Sequence, residues 1–293
     1  MQYFFQQLLN GVTTGAIYAS LGLALVLIYR TTNIANFAQG EMATFSAFLT
    51  WQITQWGIPI YWSIPIVMIL SLLIGAVVYA AIVRPVQHKD EMTIIIVTLG
   101  LFLAFNSATG AIWGFMQKSS PSPFPSTTWT AGSIRISAEL ISFVVVLMLV
   151  SGGLYLLFQK TRLGMALRAA ASNAQSAQLV GIPYTQMMIL GWAMAAALGA
   201  VSGALVASRL TLDPNMMGDV IIYAFASAVV GGMSSYVGAV VGGAIVGISQ
   251  AFSTAYMPWL GADLQIIVPL LLIVAVLIVK PEGLFGKTVA ARV

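Results

Sequence analysis

Leu8-Leu9-Asn10-Gly11-Val12-Thr13-Thr14-Gly15-Ala16-Ile17-Tyr18-Ala19-Ser20-Leu21-Gly22-Leu23-Ala24-Leu25-Val26-Leu27-Ile28-Tyr29 runs without a charge and stops at Arg30. A helix needs about 20 largely apolar residues to cross a bilayer, and this stretch supplies them. Working outward, the pattern repeats at 37–55, 62–83, 93–115, 140–158, 185–208, 236–256 and 264–280, with a shorter apolar piece at 219–231. The expected fold is an all-α polytopic membrane protein of about 8–9 transmembrane helices. Residues 1–293 are read as a single transmembrane domain. The segments 219–231 and 236–256 form either two crossings or one re-entrant, broken hairpin.

Composition excludes most other classes. Charged residues make up 7% of the 293-residue chain and hydrophobic ones 59%, where soluble domains carry about 25% charge. So few charges do not cover a water-exposed surface, which excludes a soluble enzyme. The pI near 9.4 reflects twelve Lys and Arg spread thinly along the chain, a topology signal and not a nucleic-acid footprint. There is no cysteine and one histidine, His88, so no His or Cys cluster holds a metal and no cofactor is expected in this chain. His88 lies among Arg84, Lys89, Asp90 and Glu91 in a short loop, where a solvated role is the default. No GxxxxGK[ST] run occurs, so nucleotide hydrolysis belongs to another chain. The first apolar stretch lacks the basic start of a cleavable signal.

Basic residues set the orientation. With 84–91, 159–184 and the C-terminal tail inside, the cytoplasm holds Arg30, Arg84, Lys89, Lys160, Arg162, Arg168, Lys280, Lys287 and Arg292. Only Lys118, Arg135 and Arg209 remain outside, a bias that places the N-terminus outside and the C-terminus in the cytoplasm. The Ser- and Pro-rich linker 116–139 is then an extracytoplasmic loop. GxxxG pairs at Gly11/Gly15, Gly110/Gly114, Gly199/Gly203, Gly238/Gly242 and Gly243/Gly247 are read as close internal helix packing rather than as a dimer face.

Three stretches are candidates for function. Asn33, Asn36, Gln39, Gly40 and Glu41 bring amides and an acid to the start of a span. A carboxylate there costs on the order of 2.5 kcal/mol or more at membrane centre, so it faces a wet path or the bundle interior. The competing reading makes Asn36 a helix N-cap and leaves Glu41 in interfacial water. The second stretch, 159–184, is Ala-rich, with Arg162, Gly164 and Arg168 early and Gly181-Ile182-Pro183 late. It is expected to be a cytoplasmic helix that docks on a soluble partner, or one that lies on lipid headgroups. The third, Gly231, Gly232 and Gly238, interrupts a helix as a gate or as a packed turn. Asn106 and Ser107 are expected to be satisfied within their own helix.

Several motifs together resemble the membrane permease of ABC importers for branched-chain (hydrophobic) amino acids. Leu9-Asn10-Gly11-Val12-Thr13-Thr14-Gly15-Ala16-Ile17-Tyr18-Ala19 is similar to that family's first helix. Asn36-Phe37-Ala38-Gln39-Gly40-Glu41 looks like its Asn-Phe-Ala-His-Gly-Asp/Glu signature, with Gln39 in place of the usual His. Thr161-Arg162-Leu163-Gly164-Met165-Ala166-Leu167-Arg168-Ala169 resembles its cytoplasmic loop. Val230-Gly231-Gly232-Met233-Ser234-Ser235 and Lys280-Pro281-Glu282-Gly283-Leu284-Phe285-Gly286 resemble its late glycine motif and C-terminal signature.

The resemblance implies an inner-membrane permease working with a second related permease, two cytoplasmic ATPases that use ATP and Mg, and a periplasmic solute-binding protein. It implies that the loop couples to the ATPase. Ala177 and Gly181 keep the spacing of the Glu-Ala-Ala-x₃-Gly element, while Gln175 and Ser176 depart from it. The same family is associated with urea, short amides and aromatic acids. An ion-coupled secondary transporter or a channel is the rival class.

Overall fold

The computed structural model describes residues 2–87, 89–131, 134–257, 259, 264 and 266–286. His88, Asp263, Lys287 and Arg292 lie outside the described residues. The elements are α1 (Gln2–Thr32), α2 (Gln39–Gln55), α3 (Ile60–Val78) with a π turn at Tyr79–Val83, α4 (Glu91–Trp113), β1 (Thr128–Ala131) and β2 (Ile134–Ser137). They continue as α5 (Ala138–Lys160), α6 (Arg162–Ser172), α7 (Ala174–Leu179), α8 (Tyr184–Arg209), α9 (Gly218–Gly231), α10 (Tyr236–Tyr256) and α11 (Ile267–Val279). Among the described residues, six helices are long and apolar enough to cross a membrane: α1, α3 with its π turn, α4, α5, α8 and α10. The chain is an all-α polytopic membrane protein.

Two expectations need correction, and a third region gains detail. The predicted span 37–55 is α2, whose 17 residues reach only about 26 Å, and eleven of them are buried. The linker 116–139 carries a hairpin, in which β1 and β2 pair antiparallel from Thr128↔Ser137 to Ala131↔Ile134, and α5 begins at Ala138. The single helix expected within 159–184 is two, α6 and α7. Asn173 lies in extended backbone between α6 and α7 and its side chain accepts from Ser176 N at 2.9 Å. An Asn that satisfies the backbone this way competes with helix continuation.

The chain divides into two compact groups of segments. One comprises 27–123 and 153–221. Here α8 is the spine, and α2 and α3 lie against it where side chains are absent. A Cβ on Gly203 would stand 2.2 Å from Ala43 O, and one on Gly75 would stand 2.6 Å from Trp192 O. Ser46 and Ser71, both buried, join α2 to α3 by a hydroxyl hydrogen bond of 2.8 Å. Phe45, Phe48 and Trp113 fill the space between α2 and α4.

The other group comprises residues up to 26, 124–152 and 222 onward. Gly11 and Gly15 of α1 meet Gly243 and Gly247 of α10, where a Cβ on Gly247 would stand 2.2 Å from Gly15 N. Tyr18 stacks on Tyr223 with ring centroids 4.7 Å apart. The internal-packing reading holds for every GxxxG pair except Gly110/Gly114, where Gly114 ends α4 and Gly110 faces Phe115.

Candidate functional site

The polar start of α2 is built from two local bonds and one to a distant helix. Asn36 Oδ1 accepts from Ala38 N at 3.0 Å, and its Nδ2 donates to Gln39 Oε1 at 3.3 Å. Gln39 Nε2 in turn donates to Ala195 O on α8 at 2.9 Å. Ala195 lies eleven residues past Tyr184, the first residue of α8, so the first turn of α2 is held about 16 Å along that helix. The helix therefore starts near the middle of its neighbour and not at its end.

Glu41 follows on the same turn and is 1% exposed. Its Oε2 accepts from Asn106 Nδ2 of α4 at 3.2 Å. The same Nδ2 lies 3.1 Å from Pro214 O and 3.0 Å from Asn215 Oδ1, in the segment between α8 and α9. Gly40 admits the side chain of Ile221 to this junction, 3.3 Å from where its Cβ would be. Two expectations are thereby overturned. Glu41 is not in interfacial water and Asn36 is not the N-cap residue, which is Ala38. Asn106 is not satisfied within its own helix but bridges three elements.

Asn215 opens onto a cavity of about 510 Å³ whose wall also holds Gln117, Thr211, Asp213 and Asp219. Asp213 Oδ1 is fixed by Asn215 N at 2.8 Å. The order is thus a buried acid, a bridging amide, a second amide, and a polar recess. Polar groups linked this way at membrane depth make sense against water or solute, because hydrocarbon offers them no partner. Asn33 is not part of this cluster. It takes the left-handed conformation at φ 54° and donates through Nδ2 to Ala171 O of α6 at 3.2 Å.

The segment 159–184 is tightly packed at its base and apolar at its tip. Thr161 caps α6 by accepting from Gly164 N at 3.0 Å. Gly164 is buried against α5, where a Cβ would stand 2.2 Å from Leu157 O. Arg168 reaches back to Gln159 Oε1 at 3.3 Å, while Arg162 is exposed. Ala177 is buried. Gly181 has φ +81°, and Ile182 N closes on Ala177 O at 2.9 Å. This left-handed helix end suits glycine, which has no Cβ to clash. Leu179 and Val180, at 88% and 75% exposed, form the tip. The sequence reading passed over both, since isolated apolar residues in an Ala-rich loop carry no pattern.

Gly231, Gly232 and Gly238 sit at the break between α9 and α10. A Cβ on Gly231 would stand 2.0 Å from Gly238 O, and Ser235 caps α10 through Gly238 N at 3.0 Å. The segment 280–286 closes this turn. Leu284 N donates to Val230 O and Phe285 N to Gly231 O, each at 2.9 Å. Two carbonyls left open at the end of α9 are thereby satisfied. Gly232, at φ +101°, makes room for Gly286 N, 2.6 Å from where its Cβ would be.

Residues 7–277 match the family described as branched-chain amino acid transport system / permease component. The chain is similar to a probable branched-chain amino acid transport permease protein LivH of Methanocaldococcus jannaschii, 30% identical over 91% of this chain and 87% of that one. It is 28% identical to the high-affinity branched-chain amino acid transport system permease protein LivH of Escherichia coli K12, over 99% of this chain and 98% of the relative. The corresponding permease protein BraD of Pseudomonas aeruginosa is 27% identical over the same shares. The helical bundle, the polar start of α2 and these full-length likenesses lead to one conclusion: the chain belongs to the branched-chain amino acid transport system permease family, a family of transport permeases and not of enzymes.

Proposed function

We propose that the chain is the membrane-spanning subunit of an ATP-driven importer of branched-chain or related hydrophobic amino acids in the bacterial inner membrane. Its partners are a second related permease, two cytoplasmic ATPases that bind ATP and Mg, and a periplasmic solute-binding protein. The observation that carries the reading is the polar seam Glu41–Asn106–Asn215, which runs from a buried acid to a recess. A zwitterionic amino acid leaving its binding protein meets hydrogen-bonding groups there in place of hydrocarbon. Gln39 holds the seam in register with α8. The tip formed by Leu179 and Val180 supports docking of α6–α7 on a soluble partner, and Arg162 is a further exposed residue of the same loop. Gly164 and Gly181 fix the loop, so displacement of the tip is passed to α5 and α8 as a rigid-body movement. The glycine break at Gly231, Gly232 and Gly238 is a gate candidate within its own group of segments.

The test is extraction with native partners, followed by ATP-driven leucine uptake in proteoliposomes. Wild type is expected to co-purify with ATPase and a second permease. Asn106→Leu is expected to lower uptake at least tenfold with the complex intact, and a Leu179→Glu, Val180→Glu pair to release the ATPase. A chain recovered without partners, or Asn106→Leu with wild-type uptake, overturns the reading.

A further inference from the structure

Apart from the polar seam, a cavity of about 660 Å³ lies between the π turn that ends α3 and helix α7. Its wall includes Arg84, Gln175, Gln178, Tyr184 and Thr185. Among the described residues, none of these five side chains makes a hydrogen bond or ion pair with the protein. Among the described residues, no carboxylate lines the cavity. A guanidinium carries five donors and no acceptor, and here it shares the cavity wall with the amides of Gln87, Gln175 and Gln178 and two hydroxyls, the Gln87 oxygen being taken by Tyr79 OH. That donor set fits an oxyanion, and a planar guanidinium matches phosphate better than any other side chain does.

The approach to the cavity is apolar. Ile69, Leu73 and Val77 stand out from α3 at 61%, 60% and 64% exposure. Their spacing of four residues puts them on one ridge, and exposed Ala80 and Arg84 carry that ridge into the cavity wall. An apolar column that ends in an unpaired cation is the complement of a lipid with an anionic head. A free anion would have no use for the column, and a soluble protein would not reach along it.

We propose that this cavity holds the phosphate of an anionic phospholipid, with an acyl chain laid along the exposed ridge of α3. Arg84 supplies the charge, and the amides and hydroxyls supply further donors. The site is separate from the transport pathway, and its test needs no partner subunit, so it stands or falls apart from the importer reading.

The experiment is native mass spectrometry of the full chain in detergent with dioleoyl phosphatidylglycerol or dioleoyl phosphatidylcholine. Wild type is expected to retain phosphatidylglycerol about fivefold over phosphatidylcholine, the effect of one well-placed cation on an anionic lipid. Arg84→Gln is expected to bring the two lipids to parity, while Arg84→Lys keeps most of the preference. Lys89→Gln, in the same loop but outside the cavity wall, is expected to leave it unchanged. An unaltered preference in Arg84→Gln overturns the site. Displacement of the lipid by millimolar inorganic phosphate assigns the cavity to a soluble anion.

Discussion

Gly203 and Gly100 are the same residue in two very different places. A Cβ on Gly203 would collide with Ala43 O at 2.2 Å, whereas one on Gly100 would meet nothing within 4 Å. Gly203→Val is therefore expected to part α2 from α8 and cost about 1–3 kcal/mol, the usual range for overpacking. Gly100→Val is expected to be close to neutral. Thermal unfolding in detergent compares the two, and equal midpoints would contradict the close approach. Residues such as these were half legible in the sequence. The GxxxG spacing marked Gly203 as a packing site but did not say against what. Glu41 stood out as an acid in an apolar run. Its partners did not, because Asn106 and Asn215 lie far along the chain and an amide in a span has a local reading that usually wins. Only the short length of α2 brings Glu41 level with them.

At the scale of elements, length and capping decided what the sequence revealed. Long apolar helices such as α8 and α10 were legible to within a residue or two, since the bilayer imposes their length. The break between α6 and α7 was not, because an Ala-rich stretch has high helix propensity throughout and a single Asn cap stops it. The start of α4 shows a cap at work. Asp90 accepts from the Thr93 hydroxyl at 2.7 Å and from Thr93 N at 3.1 Å. The Thr93 side chain, and then its amide, hold the Asp90 carboxyl below its usual range. A carboxyl depressed in the folded state contributes stability that is complete above its unfolded value, about 4. That contribution is lost as the pH falls through the lower, folded value. The difference in Tm between wild type and Asp90→Ala is thus expected at about pH 6 and to shrink toward about pH 3. A difference independent of pH would count against the cap.

For the whole molecule, the distribution of twelve cations makes a claim that helix packing does not. The bias of Lys and Arg puts Lys118 outside and Lys160 in the cytoplasm. The chain contains no cysteine, so single replacements report without background. In intact spheroplasts, Lys118→Cys is expected to react with a membrane-impermeant maleimide, and Lys160→Cys only after permeabilisation. The reverse pattern would invert the topology and move the α6–α7 tip away from any cytoplasmic ATPase. The division into two groups of segments was not legible in the sequence. Each group draws on stretches far apart in the chain, and no local pattern records which distant helices share a core.

The carbonyls of Val230 and Gly231 wait for amides from Leu284 and Phe285, which emerge from the ribosome well after α9 and α10. During biogenesis the turn stays unfinished until nearly the last of the polypeptide is made. A prematurely terminated product keeps its helices but exposes two bare acceptors and an uncovered glycine pair.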